Sequence, residues 1–252
     1  MRTTPRAIFI TATDTGVGKT LVAAMLAGEW RRAGLDVGVV KPFGTEGVRV
    51  AGVRGLVSPD ALILHEAAGR PADSLRAVSP QCFRAPLAPE IAARIEGKRV
   101  DVAAALRAVR AVVRCHEITL IEGCGGLWVP LTPRVAILDV IKRLDASVLV
   151  IARSALGTLN HTVLTVDRLR SEGMRVLGVV LNRVAGGALS LAEKTNPKIL
   201  RCRLDVPVWG PLAFVRSLAG RPLAPADVRH LPRCETTARE ILERLASPAS
   251  GR

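Results

Sequence analysis

The segment Ala12-Thr13-Asp14-Thr15-Gly16-Val17-Gly18-Lys19-Thr20 constrains the fold more than any other part of the chain. It joins an apolar run over residues 6–12, which reads as a strand, to an amphipathic stretch over 19–33, which reads as a helix stopped by Gly34. Glycines at such a junction let backbone N–H groups turn inward toward phosphate oxygens, and the helix N-terminus adds partial positive charge. Gly16, Val17, Gly18, Lys19, Thr20 and Leu21 are therefore expected to cradle a nucleotide, ATP or a relative of it. Lys19 is placed to reach the outer phosphates, and the Thr20 hydroxyl to ligate Mg²⁺. The loop is a variant, because Ala12 stands where the first glycine is usual and five residues, not four, separate it from Gly18.

Apolar runs alternate with amphipathic stretches along the rest of the chain, the pattern of strands and helices around a parallel sheet. Further strands are expected over 37–41, 118–122, 147–152, 176–182 and 206–209, and further helices over 89–96, 102–115, 158–171 and 236–245. The fold class is α/β: a single-domain P-loop fold over residues 1–252, with a mostly parallel, doubly wound sheet and helices on both faces. Residues 183–203 and 217–233, rich in Gly, Pro and Arg, are expected to be loops.

Composition narrows the partners. Apolar residues at 49% and charged residues at 23% argue against a mostly disordered chain. Apolar stretches such as 148–152 fall far short of the ~20 residues that span a bilayer, and the run at 7–10 is too short for a signal-peptide core. A cytoplasmic address without a membrane partner is the expectation. Lys and Arg at 36 against Asp and Glu at 22 give a net charge of +14, which by itself suits nucleic acid. The arginines are scattered, however, and no Tyr, four Phe and three Trp make a poor stacking platform, so nucleic acid is not the expected partner. Five cysteines without a CxxC pair read as reduced thiols.

Three charged residues stand where chemistry is expected. Lys41 follows the second strand, at the sheet edge where open α/β folds bind ligands. Glu122 ends a buried apolar strand, where an unpaired charge would be costly. Asp60 reads either as a hard oxygen ligand or as the cap of a helix over 61–68. Thr20, Asp60 and Glu122 together would complete a Mg²⁺ site with nucleotide phosphates. Gly123, Gly125 and Gly126 permit close backbone approach to a ligand.

The ordered motifs resemble the dethiobiotin synthetase family from Ala7 to Phe214. They are the phosphate loop, Lys41-Pro42, Ser58-Pro59-Asp60-Ala61, Glu122-Gly123-Cys124-Gly125-Gly126-Leu127, Gly157-Thr158-Leu159-Asn160-His161-Thr162, and Asn182 at a strand end. The resemblance implies that Lys41 and Lys19 are catalytic and that Thr20, Asp60 and Glu122 hold Mg²⁺. It implies nucleotide contacts from Gly123, Cys124, Gly125, Asn182, Arg183, Gly210, Pro211 and Leu212. Thr45, Gly157, Thr158, Leu159 and Asn160 would contact substrate, the last four across a homodimer interface. The implied reaction converts 7,8-diaminopelargonate, CO₂ and ATP to dethiobiotin, ADP and phosphate. The alternative is a regulatory or partitioning-type P-loop ATPase. Such proteins commonly carry an additional lysine early in the loop, which Thr13-Asp14-Thr15 does not offer.

Overall fold

The computed structural model describes residues 6–71 and 74–247, so the termini of the 1–252 span lie outside it. The chain opens with β1 (Arg6–Ala12), α1 (Lys19–Arg32), β2 (Val37–Val40), β3 (Phe43–Gly44), α2 (Pro59–Ala68), α3 (Leu75–Val78) and β4 (Gln81–Cys82). It continues through α4 (Pro89–Ile95), α5 (Val102–Cys115), β5 (Ile118–Glu122), β6 (Pro130–Thr132), β7 (Val135–Ala136) and α6 (Ile137–Leu144). The last elements are β8 (Ser147–Arg153), α7 (Thr158–Ser171), β9 (Val176–Asn182), α8 (Leu191–Arg203), β10 (Val208–Leu212) and α9 (Glu235–Ala246).

Six strands form one parallel sheet in the order β10-β9-β8-β1-β5-β2. Alternate residues of each strand point to opposite faces. Ile8, Ile10, Val39, Leu120, Leu149 and Ile151 therefore pack on α1, α2 and α9. Phe9, Val40, Ile121, Val148 and Val150 pack on α5, α6, α7 and α8. With both faces covered, the strands are mostly apolar, as in parallel sheets generally, with Thr11 and Thr119 buried polar exceptions within β1 and β5. The doubly wound architecture is as expected. From β1 the chain moves out to β2, returns to β5 and crosses β1 to reach β8. The crevice beside the C-terminal end of β1 is thus the topological switch point, where such sheets bind ligands.

The expected loop over 183–203 is corrected, because residues from Leu191 to Arg203 are helix α8. Ser190 and Glu193 form a reciprocal capping box: Ser190 Oγ accepts from Glu193 N (3.2 Å) and Glu193 Oε2 accepts from Ser190 N (2.9 Å). Pro197 inside the helix is tolerated because Leu200 is fully buried and Asn196 Nδ2 donates to Ala155 O (3.0 Å). Residues 217–233 are irregular apart from 3₁₀ turns, as expected.

The C-terminal segment docks on α1. Trp30 is buried and donates from Nε1 to Ala238 O (3.0 Å). Glu29, its side chain 4% exposed, accepts from Arg233 Nε (2.7 Å) and Cys234 N (3.0 Å) and pairs with Arg32 (3.0 Å). Burial pushes the Glu29 carboxyl up, but these donors outweigh it and hold its pKa at about 2. A depressed carboxyl stabilises the fold above its unfolded pKa and loses that contribution as pH falls through its folded value. Glu29→Ala is expected to cost about 1–3 kcal/mol at neutral pH, mainly from the stranded Cys234 N–H. In thermal melts from pH 7 to pH 2, the gap between wild type and variant should narrow as pH falls from about 4.5 toward about 2, where Glu29 protonates and loses its charged pairing.

Candidate active site

The phosphate loop leaves β1 with Thr13 N donating to Ile151 O (3.1 Å), which ties it to β8. Only Gly16 (φ 72°) and Gly18 (φ 93°) in the loop take the left-handed conformation that favours glycine. Ala12 pairs with Ile151 inside the sheet and is fully buried, so the usual glycine is not required there. Lys19 opens α1 and curls over the loop, donating to Asp14 O (3.3 Å). Burial, then the neighbouring Lys41, lower its pKa.

Asn182, at the end of β9, donates from Nδ2 to Val17 O (3.0 Å), while its Oδ1 is buried without a partner. A Cβ on Gly18 would lie 2.2 Å from Asn182 Nδ2, so this glycine admits the contact. Leu212 pairs with Asn182, Arg183 N donates to Leu212 O (3.3 Å), and the Gly210–Pro211 peptide is cis. Asn182, Arg183, Gly210, Pro211 and Leu212 are therefore one cluster beside the loop.

On the other side of the loop, a single buried lysine organises the charged residues. Lys41 Nζ lies 2.7 Å from Asp60 Oδ2, 2.5 Å from Glu122 Oε1 and 3.2 Å from Gly123 O. Three elements converge to build this contact: Lys41 just beyond β2, Asp60 in the first turn of α2, and Glu122 ending β5. Burial alone would push Lys41 down, but Asp60 and Glu122 outweigh it and hold the ammonium well above the ordinary lysine range. Burial likewise pushes Asp60 up, and Lys41 reverses this to a lowered pKa. Glu122 is buried more deeply, and there burial prevails and its pKa rises.

The Thr20 hydroxyl lies 2.9 Å from Asp60 Oδ1 and 3.0 Å from Glu122 Oε1. One hydroxyl proton cannot serve both carboxylates at once, and Glu122 Oε2 is buried without a partner. This is a half-site of hard oxygens that a divalent cation would satisfy. Among the described residues no three His, Cys, Asp or Glu side chains gather to hold a metal alone. That fits Mg²⁺, which usually takes one or two carboxylates and fills its shell with water and phosphate. Asp60 does not cap α2, since Ser58 is the N-cap residue. Cys124 sits beside the two lysines with its thiol pushed up to about 11 by burial, a neutral packing group.

A family profile described as an AAA domain matches residues 6–221. The ATP-dependent dethiobiotin synthetase BioD of Anaeromyxobacter sp. (strain Fw109-5) is 47% identical over 216 residues, which cover 86% of this chain and 93% of that protein. The chain belongs to the dethiobiotin synthetase family. The enzyme of the same name from Bacillus velezensis is 37% identical over 206 residues, covering 81% of this chain and 85% of its own.

Solved structures outside the dethiobiotin synthetases share the fold alone. A ParA family ATPase from Chlorobium tepidum superposes with a TM-score of 0.54 at 12% identity, covering 96% of this chain and 100% of its own. Aquifex aeolicus MinD does so at 0.53 and 15%, covering 98% and 99%.

Membership agrees with the motif reading, yet not every expected residue meets the Lys41 cluster. Gly157 is the N-cap of α7, and Thr158 is buried with its hydroxyl turned to Thr162 Oγ1 (3.2 Å). Leu159 and Asn160 instead border a separate cavity of about 310 Å³ between α7 and α8. Thr45 is half-buried just beyond β3. One group had not been foreseen: Ser154, buried past the end of β8, donates from its backbone N to Asn182 O (2.8 Å) and leaves its hydroxyl unpartnered. Its position after a central parallel strand was the available signal.

Proposed function

We propose that the chain catalyses ATP-dependent carboxylation and ring closure of 7,8-diaminopelargonate to dethiobiotin, with release of ADP and phosphate. Membership in the dethiobiotin synthetases supports the overall reaction. The observation that carries the chemistry is the buried Lys41 ammonium, 2.7 Å and 2.5 Å from Asp60 and Glu122 beside the phosphate loop.

One amine of the diamine adds to CO₂ and loses a proton, giving a carbamate. A carbamate oxygen attacks the γ-phosphorus and displaces ADP, leaving a carbamic-phosphoric anhydride. The second amine attacks the carbonyl carbon, the C–O bond to phosphate breaks, and the ureido ring closes. The protein's task is positioning and charge neutralisation. Lys41 holds its proton and acts as a fixed cation for the carbamate and the transferred phosphoryl group, not as a base. Lys19 and the loop N–H groups hold the outer phosphates, and Asn182 with its neighbours receives the base.

Thr20, Asp60 and Glu122 would hold Mg²⁺, which supplies charge neutralisation at the phosphate oxygens. Lys19 and Lys41 balance the two carboxylates, so the protein cluster alone is close to neutral. A divalent cation makes it a match for a polyphosphate. Phosphate release from MgATP and bicarbonate should require the diamine. Equal release without it would contradict this reading.

The substrate site is shared across a homodimer. Leu156 (88% exposed) precedes α7, Leu164 (60%) lies on it, and Trp128 (67%) stacks with Arg168 of the same helix (5.3 Å). Such a patch suits burial against a second copy, and it would bring Gly157, Thr158, Leu159 and Asn160 to the partner's substrate. Leu164→Glu is expected to convert a dimer to a monomer in sedimentation velocity and to raise KM for the diamine. A dimer unchanged in strength would place the interface elsewhere. No helix among the described residues is long and apolar enough to cross a membrane.

A further inference from the structure

A second cavity, of about 550 Å³, opens beside β4 of the short β3–β4 pair. No phosphate-loop residue lines it, and neither do Lys41, Asp60 or Glu122. Its volume is that of a small-molecule site. Five cationic side chains surround it: Arg49, Arg76, Arg84, Lys98 and Arg99. Lys98 pairs with Glu96 (2.8 Å), and Arg76 donates to the backbone oxygen of Ser79 (3.1 Å). The guanidinium groups of Arg49, Arg84 and Arg99 have no carboxylate partner among the described residues, and neither does that of Arg76.

Some arginines elsewhere in the chain do meet carboxylates. Arg70, Arg168, Arg183, Arg221 and Arg233 each meet a carboxylate within 3.0 Å. Four guanidiniums without a carboxylate partner, beside a lysine that Glu96 neutralises, leave the rim of this cavity net positive, a field that attracts an anion. The floor is of another character. Leu56, Cys82 and Phe83 present apolar surface, and burial raises the Cys82 thiol to about 11, so it is uncharged at neutral pH.

We infer that this cavity is a binding site for a small anion with an apolar body, a phosphate monoester or a carboxylic acid whose charged end meets the arginines and whose body rests on Leu56, Cys82 and Phe83. Phosphate and carboxylate share the chemistry that arginine recognises in two-pronged fashion. The rim is formed by exposed side chains, so single substitutions there leave the core intact. The inference does not depend on the reaction assigned to the Lys41 cluster.

The test is calorimetric titration of the full chain, held in excess MgADP to fill the phosphate loop, with phenyl phosphate and separately with benzoate. The wild type should bind at least one of them, more weakly as salt rises. The arm that binds identifies the preferred head group. Arg84→Ala/Arg99→Ala should weaken binding at least tenfold, the loss of a charge-assisted contact. Lys19→Ala should leave it unchanged, which separates this site from the phosphate loop. Failure of both probes to bind the wild type would overturn the inference. So would equal binding by the double arginine variant, loss of binding in Lys19→Ala, or displacement of the probe by 7,8-diaminopelargonate.

Discussion

Replacing Lys41 by alanine should lower turnover by at least ~10², the loss that follows removal of one preorganised charge stabiliser. The residue is 4% exposed, and its ammonium is held by Asp60 and Glu122 at 2.7 Å and 2.5 Å. Its removal strands two carboxylates against each other around the Thr20 hydroxyl. Stability should therefore fall as well, by about 3–5 kcal/mol for a broken buried ion pair, discounted because Asp60 is 39% exposed. Nucleotide binding should persist, because Lys19 and the loop remain. Without the cation the carboxylates protonate more readily, so the acid limb of the Mg²⁺ dependence should move to higher pH. Turnover near the wild-type value in a folded Lys41→Ala protein would remove Lys41 from the mechanism.

The second large effect is expected at Glu122. Glu122→Gln keeps shape and volume, and it leaves Lys41 paired with Asp60. It removes one negative charge from the hard-oxygen half-site and the free Oε2 acceptor. Turnover at saturating MgATP should fall by ~10² or more. The Mg²⁺ concentration for half-maximal rate should rise at least about tenfold, because one of two protein carboxylates is gone. An unchanged Mg²⁺ requirement with full turnover would show that Glu122 serves only to anchor Lys41.

Much of the fold was legible because parallel strands buried on both faces are short apolar runs bounded by turns. β1, α5, β5, α7 and β9 fall on the residues where periodicity placed them. Helix α8 was not legible, since Asn196, Pro197 and two lysines mask its pattern, and only the Ser190–Glu193 capping box betrays it. Helix α6, from Ile137 to Leu144, is only eight residues long and merges in sequence with the apolar runs beside it.

Within the site, Lys41, Asp60 and Glu122 were each identifiable, but nothing local said that their charges meet within 3 Å. That contact depends on where β2, α2 and β5 end in the sheet. The ambiguity at Asp60 was local, since both a cap and a ligand sit at a helix start. It resolves only because Ser58 begins the helix and Asp60 turns to Lys41 and Thr20. The role of the C-terminal segment was hidden for the same reason: Glu29 and Arg233 are far apart in the chain and 2.7 Å apart in space.

The most direct measurement is a single turnover, started by adding ¹⁸O-labelled CO₂ in unlabelled water and quenched before hydration exchanges the label, with product and phosphate analysed by mass. The carbamate oxygen that attacks the γ-phosphorus leaves with phosphate when the ring closes. One dethiobiotin should therefore form per ADP, and each phosphate should carry one ¹⁸O. Phosphate without label, or released without ring-closed product, would mean that ATP is simply hydrolysed and that the Lys41 cluster performs another task.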